Sequence, residues 1–238
     1  MISRRTARTG AGLPHPVSND LLAALPPAER DRIVPALEVV PLALKALVQK
    51  PGDPVQFVHF PGGGFLSVVT VLEDGGMVEV ATVGREGAVG VTGALDGATA
   101  EAAAIVQGES DLCYRMTADA FRREMNRRGA FYEVLTRYAH AFVAFIMQST
   151  ACNAVHSVEQ RLARWLLMAH DRVDSDEIAL THEFLSVMLG VRRSGVTTAL
   201  QELERKGLIG HRRSFITIID REGLEERSNG TYTPPSGK

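Results

Sequence analysis

The stretch LTHEFLSVMLGVRRSGVTTALQELERKGLI, residues 180–209, contains two short amphipathic patterns separated by a glycine. Thr181 is placed to cap the first helix, and Gly207 stands where the second helix should end. The apolar positions of the two patterns recur at helical spacing: Phe184, Leu185 and Met188, then Val196, Leu200 and Leu203. Two short helices joined by a turn at Gly190 predict a helix-turn-helix.

The buried stripe of the second helix leaves polar side chains on its outer face: Arg193, Ser194, Thr197, Thr198 and Gln201. Arginine can bond guanine at two acceptors, and glutamine can do the same to adenine. Serine and threonine can contact base edges or phosphates. The outer face therefore has the chemistry that reading the major groove requires.

The residues after the second helix extend this prediction. Leu208-Ile209 and RRSFITIID (212–220) are typical of two strands around a turn, with Arg212 and Arg213 at its tip, where they would contact phosphates. From Arg192 to Arg213 there are six Lys or Arg and two Glu, a local charge of +4 in a chain of net charge -2. The positive charge is thus a local patch, which indicates nucleic-acid binding by this segment alone.

Upstream, residues 38–116 alternate short Val-, Phe- and Thr-rich runs with Gly, Pro and Asp turns. Strands are predicted at 55–60, 64–72, 77–83, 102–107 and 111–116, and Asp74-Gly75-Gly76 fits a hairpin between the second and third. Before them, Ser18 is expected to cap a helix over 19–25, and a second helix starts at Pro26-Pro27. The pattern predicts a barrel-like or sandwich β domain.

A helix over 118–127, interrupted at Gly129, leads to a long helix predicted from about 130 to 151. Its large residues recur at steps of 4 and 3, the spacing of a coiled coil. We expect a dimer seam at Phe131, Leu135, Tyr138, Phe142 and Phe145. The alternative is that this stripe packs on the β domain. The next helix should start with the capping box of Ser157 and Gln160.

Composition narrows the class of protein. Two cysteines, Cys113 and Cys152, cannot form a disulfide framework, and no apolar run approaches the roughly 18 residues of a membrane span. Arg4, Arg5 and Arg8 precede no apolar run and fit a solvated tail or a phosphate contact. The histidines show no metal-ligand spacing and no catalytic motif is present. We expect a cytoplasmic protein that is not an enzyme and needs neither metal nor cofactor.

The chain resembles the cyclic-AMP-receptor-protein and Fnr (Crp/Fnr) family of bacterial transcription regulators. The residues that carry the likeness are HSVEQRLARWLLMAHDRV (156–173), the stretch 180–209 and the two strands after it. The resemblance implies that Thr181 and His182 face phosphates and that Arg193 and Thr198 face bases. Relatives often have Glu after the first recognition arginine, whereas this chain has Ser194, so their base preference does not carry over.

Cyclic-nucleotide binders of this family pair a Gly-Glu with a later Arg-Ser or Arg-Thr that holds the phosphate. Here Gly84 and Glu86 supply the first element and are the candidate effector residues. The later stretch, DGATAEAAA (96–104), has Glu101 and no arginine. Burying a phosphate there without a cation would be costly, so we expect a different effector or none.

The sequence therefore predicts an α+β fold with a jelly-roll, cyclic-nucleotide-binding-like domain over 18–128, a dimerisation helix over 129–154 and a winged helix-turn-helix over 155–227. The expected partners are double-stranded DNA, a second copy of the chain and, for an activator, RNA polymerase. The alternative function is a ligand-binding or scaffold protein whose helix-turn-helix contacts proteins.

Overall fold

The computed structural model describes residues 17–73 and 75–234. The proposed phosphate contacts of Arg4, Arg5 and Arg8, and the turn residue Asp74, lie outside these residues. Within them, every helix is too short or too polar to cross a bilayer.

Two short helices, α1 (Asp20–Ala23) and α2 (Pro27–Ile33), open the described chain. The predicted cap at Ser18 is wrong, because Asn19 caps α1 with its side-chain oxygen, which accepts from the Leu22 amide at 3.2 Å. The Asn19 amide group is buried and donates to the carbonyls of Pro61, Arg85 and Gly87. Asparagine suits this position better than serine because it can cap the helix and satisfy these carbonyls at once.

Seven strands form the β domain: β1 (Glu38–Leu42), β2 (Leu47–Gln49), β3 (Phe57–Pro61), β4 (Phe65–Val71), β5 (Met77–Val83), β6 (Ala103–Gly108) and β7 (Ser110–Thr117). They pair antiparallel in two sheets, ordered β1-β7-β3 and β2-β6-β4-β5. The predicted hairpin is present as β4–β5, and the jelly-roll-like class is confirmed. Strands β1 and β2 and the short helix α3 (Val91–Asp96) were not predicted individually, because each is brief and only partly apolar.

The chain then becomes helical, as predicted, with α4 (Ala118–Asn126) followed by α5 (Ala130–Val155). Helix α5 has 26 residues and is about 39 Å long at 1.5 Å per residue. It begins where the Glu29 carboxylate accepts from the amides of Ala130 and Phe131, both at 2.9 Å.

The stripe of α5 that was predicted as a dimer seam packs within its own chain. Phe131 and Leu135 are each 1% exposed inside the β-domain core, and the Tyr138 hydroxyl donates to the Ala88 carbonyl at 2.9 Å. Phe142 stacks on Tyr138, and Phe145 packs beside Arg164. The stripe packs on its own chain, which is the alternative that the sequence left open.

A second stripe with the same spacing lies on the opposite face of α5. Its members are small or apolar, with one histidine: Thr136, His140, Val143, Met147, Thr150 and Ala154. Val143 is 55% exposed and Met147 is 68% exposed. We call these six residues the outer face of α5.

The C-terminal elements form a second unit: α6 (Val158–His170), β8 (Glu177–Ala179), α7 (His182–Leu189), α8 (Arg193–Arg205), β9 (Ile209–Arg212), β10 (Phe215–Ile218) and α9 (Arg221–Arg227). Helix α6 starts with the predicted capping box of Ser157 and Gln160. Its apolar side chains share one core with α7, α8 and the small sheet. We call α6 to α9 the helix-turn-helix unit.

Trp165 of α6 joins this unit to the β domain. Its ring packs edge-on against Phe65 of β4 and Phe184 of α7, with centroids 6.4 and 5.6 Å away. Its indole Nε1 donates to the buried carboxyl of Glu79 at 2.7 Å, and the same carboxyl bonds Ser67. Burial raises the Glu79 pKa to about 7, although the bonds to Ser67 and Trp165 and the nearby Arg172 and Arg164 oppose the shift.

We expect stability to fall as pH rises through this range. Glu79 binds its proton more tightly in the folded state than in the unfolded state. Its contribution to the free energy of unfolding is therefore complete below pH 4.5, and roughly 3 kcal/mol is lost as pH rises through 7. Glu79→Gln keeps the acceptor for Trp165 and supplies a donor for Ser67 without titrating. Urea unfolding at pH 5 and pH 8 should show a pH-dependent midpoint in the wild type and a much flatter one in the variant. Equal pH dependence would show that Glu79 is not the titrating group.

Candidate nucleic-acid interface

Helices α7 and α8 are joined by a turn that requires glycine. Gly190 ends α7 with φ of 60°, in the left-handed region, and its amide donates to the Val187 carbonyl at 3.2 Å. Thr181 caps α7 as predicted, because its hydroxyl oxygen accepts from the Phe184 amide at 3.1 Å. Its hydroxyl proton remains able to donate to a phosphate.

Helix α8 packs one face into the core and presents the other to solvent. Val196, Leu200 and Leu203 are 0% exposed, as the sequence periodicity predicts. The exposed side chains include Arg192 at the start of the helix, then Arg193, Ser194, Thr198 and Gln201. Thr197 is half-buried. The outer face predicted from the sequence is therefore present, with Thr197 at its edge.

The two threonine hydroxyls are already engaged. Thr197 donates to the Arg193 carbonyl at 3.0 Å, and Thr198 donates to the Ser194 carbonyl at 3.1 Å. Each oxygen then has lone pairs left and can accept but not donate. In this state Thr198 suits a base amino group rather than a base carbonyl.

The small sheet beside α8 has the order β8-β10-β9, and β9–β10 form the wing. Ser214 turns the chain at its tip with φ of 65°. Arg212 and Arg213 are exposed there, as predicted. The guanidinium of Arg212 lies over the Phe215 ring, 5.4 Å from its centroid.

Neighbouring carboxylates hold four of the six cations that the sequence placed in the basic patch. Arg193 pairs with Glu183 of α7 at 3.0 Å, and Arg212 pairs with Glu177 of β8. Arg205 and Lys206 pair with Glu202 and Glu159 at the far end of α8. Arg193 and Glu183 are 65% and 72% exposed, and pairs this exposed contribute only about 0–1 kcal/mol, so a phosphate or base edge can displace the glutamate.

His182, the first residue of α7, has partners that the sequence did not reveal. Its Nδ1 lies 3.0 Å from the Thr197 hydroxyl and its Nε2 lies 3.0 Å from Nε2 of His211 in β9. Burial, then His211 and Arg193, lowers the pKa of His182. His211 was overlooked because it stands alone in a strand, and only the register of the wing brings it to α7.

The candidate effector residues Gly84 and Glu86 lie in the loop after β5, far along the chain from α8 but in contact with the end of α6. Arg172 donates to Glu86 Oε1 through Nε at 3.1 Å and through a terminal nitrogen at 2.8 Å. The Arg172 side chain is only 6% exposed and passes directly over Gly84, where a Cβ would meet it at 2.9 Å. Arg172 belongs to the helix-turn-helix unit, and it supplies the cation beside this loop that the sequence did not reveal.

The helix pair, the exposed polar face of α8 and the three-stranded sheet define a winged helix-turn-helix protein. Residues 160–227 match the family model of the Crp-like helix-turn-helix domain, so the chain contains such a domain. No curated protein sequence matches the chain.

Solved structures agree over most of the chain. A CRP-family transcriptional regulator from Thermus thermophilus aligns with a TM-score of 0.68 at 19% identity, covering 83% of this chain and 99% of that one. FixK2 from Bradyrhizobium japonicum aligns with a TM-score of 0.67 at 15% identity, covering 80% and 96%. The resemblance to the Crp/Fnr regulators is confirmed, and the fold is theirs.

We predict opposite stability effects for alanine at two glycines of this interface. Gly190→Ala should lower the free energy of unfolding by about 1 kcal/mol, because alanine is strained in the left-handed region. Gly195→Ala in α8 meets no atom within 4 Å and should raise it by about 0.5–1 kcal/mol through helix propensity. Urea denaturation measures both. A stabilised Gly190→Ala would mean that the turn relaxes out of the left-handed conformation.

Proposed function

We propose that this protein is a sequence-specific DNA-binding transcription regulator that acts as a homodimer on a two-fold-symmetric operator. The outer face of α8 carries the proposal, since it presents two side chains able to bond base edges bidentately, Arg193 and Gln201, beside short hydroxyl residues. Arg193 lies in the first turn, where a recognition helix approaches the bases most closely.

The other interface residues are assigned to the backbone. Thr181, His182 and Arg192 lie at the starts of α7 and α8, where unpaired backbone amides also favour phosphates. Arg212 and Arg213 extend the contact from the wing. Ser194, Thr197 and Thr198 complete the proposed surface between these two groups. A base edge would replace Glu183 as the partner of Arg193, and a phosphate would replace Glu177 as the partner of Arg212.

Dimerisation is assigned to the outer face of α5. Val143 and Met147 are large apolar residues held in solvent, and exposed alanines flank them at 139, 144, 151 and 154. The 4-and-3 spacing of the six outer-face residues suits a second α5 packed against the first. Two helix-turn-helix units would then address half-sites about 34 Å apart.

Effector control is assigned to the loop of Gly84 and Glu86. Arg172 ties Glu86 to the segment that follows α6, so a molecule that binds Glu86 competes with this ion pair. Such competition would change how the helix-turn-helix unit is held against the β domain. The ion pair favours an effector that offers its own cation or hydrogen-bond donor to Glu86.

Selection of genomic DNA fragments by the purified protein, without added ligand, tests the function directly. We expect enrichment of a two-fold-symmetric site and an affinity that falls steeply with salt, in proportion to the phosphates contacted. The alternative function, a scaffold whose helix-turn-helix contacts proteins, predicts no enrichment with or without cell extract. Enrichment only with extract would indicate an effector-dependent regulator.

Substitutions should separate base contacts from phosphate contacts. Arg193→Ala should cost roughly 1–3 kcal/mol on the selected site and relax one operator position, whereas Arg212→Ala should weaken all sequences alike. Arg205→Ala is the matched control, because Arg205 pairs with Glu202 at the far end of α8. Fluorescence anisotropy on cognate and random DNA gives the comparison. Equal losses on both DNAs for Arg193→Ala would contradict its base-reading role.

A charge on the outer face of α5 should split the dimer. Met147→Asp would bury an unpaired carboxylate between two helices, whereas Ala141→Asp places the same charge on the exposed flank of the same helix. Sedimentation velocity should show monomers for the first and dimers for the second. Phe142→Asp would not test this interface, because Phe142 packs in the β domain. A dimeric Met147→Asp would move the interface away from this face.

A further inference from the structure

The histidine pair at the edge of the interface has fixed proton positions. The Thr197 hydroxyl gives its single proton to the Arg193 carbonyl, so it can only accept from His182 Nδ1. Neutral His182 therefore carries its proton on Nδ1 and has a lone pair on Nε2. It follows that His211 donates through Nε2 to that lone pair across 3.0 Å.

This chain of bonds leaves one basic atom free. Within residues 17–73 and 75–234, Nδ1 of His211 has no hydrogen-bond partner. Of the two histidine rings, this nitrogen alone keeps a lone pair that accepts no hydrogen bond. A proton added there makes His211 a cation and leaves every hydrogen bond in place. The bond from His211 to His182 then becomes charge-assisted and stronger. A second proton would have to remove the acceptor on His182, which would break the chain.

The charged groups around the pair come from several elements. Arg193 of α8 faces His182 and is held by Glu183 of α7. Glu204 of α8 accepts from the His211 backbone amide at 3.3 Å. Arg212 follows His211 in β9 and is paired with Glu177 of β8. In free protein both arginines are matched by a glutamate, and Glu204 bonds the backbone amide of His211 rather than its ring.

We propose that the His182–His211 pair takes up one proton when the protein binds DNA, and so acts as a pH-dependent cation on the phosphate backbone. The proposal rests on the proposed DNA-binding function. DNA would displace Glu183 and Glu177 from their arginines and bring phosphates to the pair. A phosphate beside His211 favours its charged form.

The direction of the pH effect follows from linkage. The pair binds its proton more tightly on DNA than in free protein. The gain in DNA affinity is therefore complete at acid pH, and it is lost as pH rises through the range in which the pair releases its proton in the complex. An opposite charge at about 4–6 Å changes the proton-binding constant of a titrating group by at least about tenfold. We therefore expect DNA affinity to rise about tenfold for each helix-turn-helix unit from pH 8 to pH 5.5 at constant ionic strength.

His211→Gln is the sharp test. Glutamine can still donate to His182 Nε2, so the wing stays attached to α7, but it cannot titrate. The DNA affinity of this variant, measured by fluorescence anisotropy, should lack most of the rise that the wild type shows between pH 8 and pH 5.5. His170→Gln, which removes a histidine paired with Asp176 outside the interface, should keep the full pH dependence.

Calorimetry needs no variant. Titrating wild-type protein with the selected DNA in two buffers of different ionisation enthalpy, at pH 7, counts protons taken up. A tenfold shift in the proton equilibrium predicts an average uptake of up to about half a proton for each helix-turn-helix unit. Binding without proton uptake, or a pH slope shared by wild type and His211→Gln, would overturn this role alone. Absence of DNA binding at every pH would instead contradict the proposed function.

Discussion

The contact of Trp165 with Glu79 determines how the two halves of this chain are related. One indole ring lies against Phe65 of the β domain and Phe184 of the helix-turn-helix unit, and its single N–H reaches a buried carboxyl on β5. A buried carboxylate is expensive unless it is protonated or paired. The junction is therefore most favourable with Glu79 neutral, and its strength depends on a proton as well as on packed surface.

A second link runs parallel to the first. Glu86 follows Glu79 by seven residues and bonds Arg172, which follows Trp165 by seven. One link is a buried hydrogen bond from an indole to a carboxyl, and the other is an ion pair beside the loop assigned to the effector. Because both end on α6 or directly after it, an effector at the loop, as proposed, would act on α8 through the core that α6 and α8 share.

The sequence predicted the helix-turn-helix well because its signals are local. A capping threonine, a turn glycine and apolar residues at i, i+4 and i+7 determine α7 and α8 without reference to the rest of the chain. The β4–β5 hairpin was predictable for the same reason.

The cap of α1 was not predictable, since Asn19 donates to the carbonyls of Pro61, Arg85 and Gly87, which are distant in sequence. The packing of the aromatic stripe of α5 was not predictable for another reason: two stripes of this helix repeat at steps of 4 and 3, so periodicity alone cannot say which one packs within the chain. The aromatic stripe fills the chain's own β domain, where large rings exclude the most water.

The interface residues that sequence reasoning missed are the ones that hold the others. Glu183, Glu177 and His211 would be assigned to solvent from their positions alone, yet each bonds a residue predicted to meet DNA. A count of charge along residues 192–213 gives +4, whereas the folded surface has most of that charge neutralised by acids from α7, β8 and α6. The free protein therefore approaches a duplex with a weaker positive field than its sequence suggests. In the proposed complex its full charge would become available only where DNA takes the place of those acids, a requirement that would favour close, specific complexes over loose electrostatic ones.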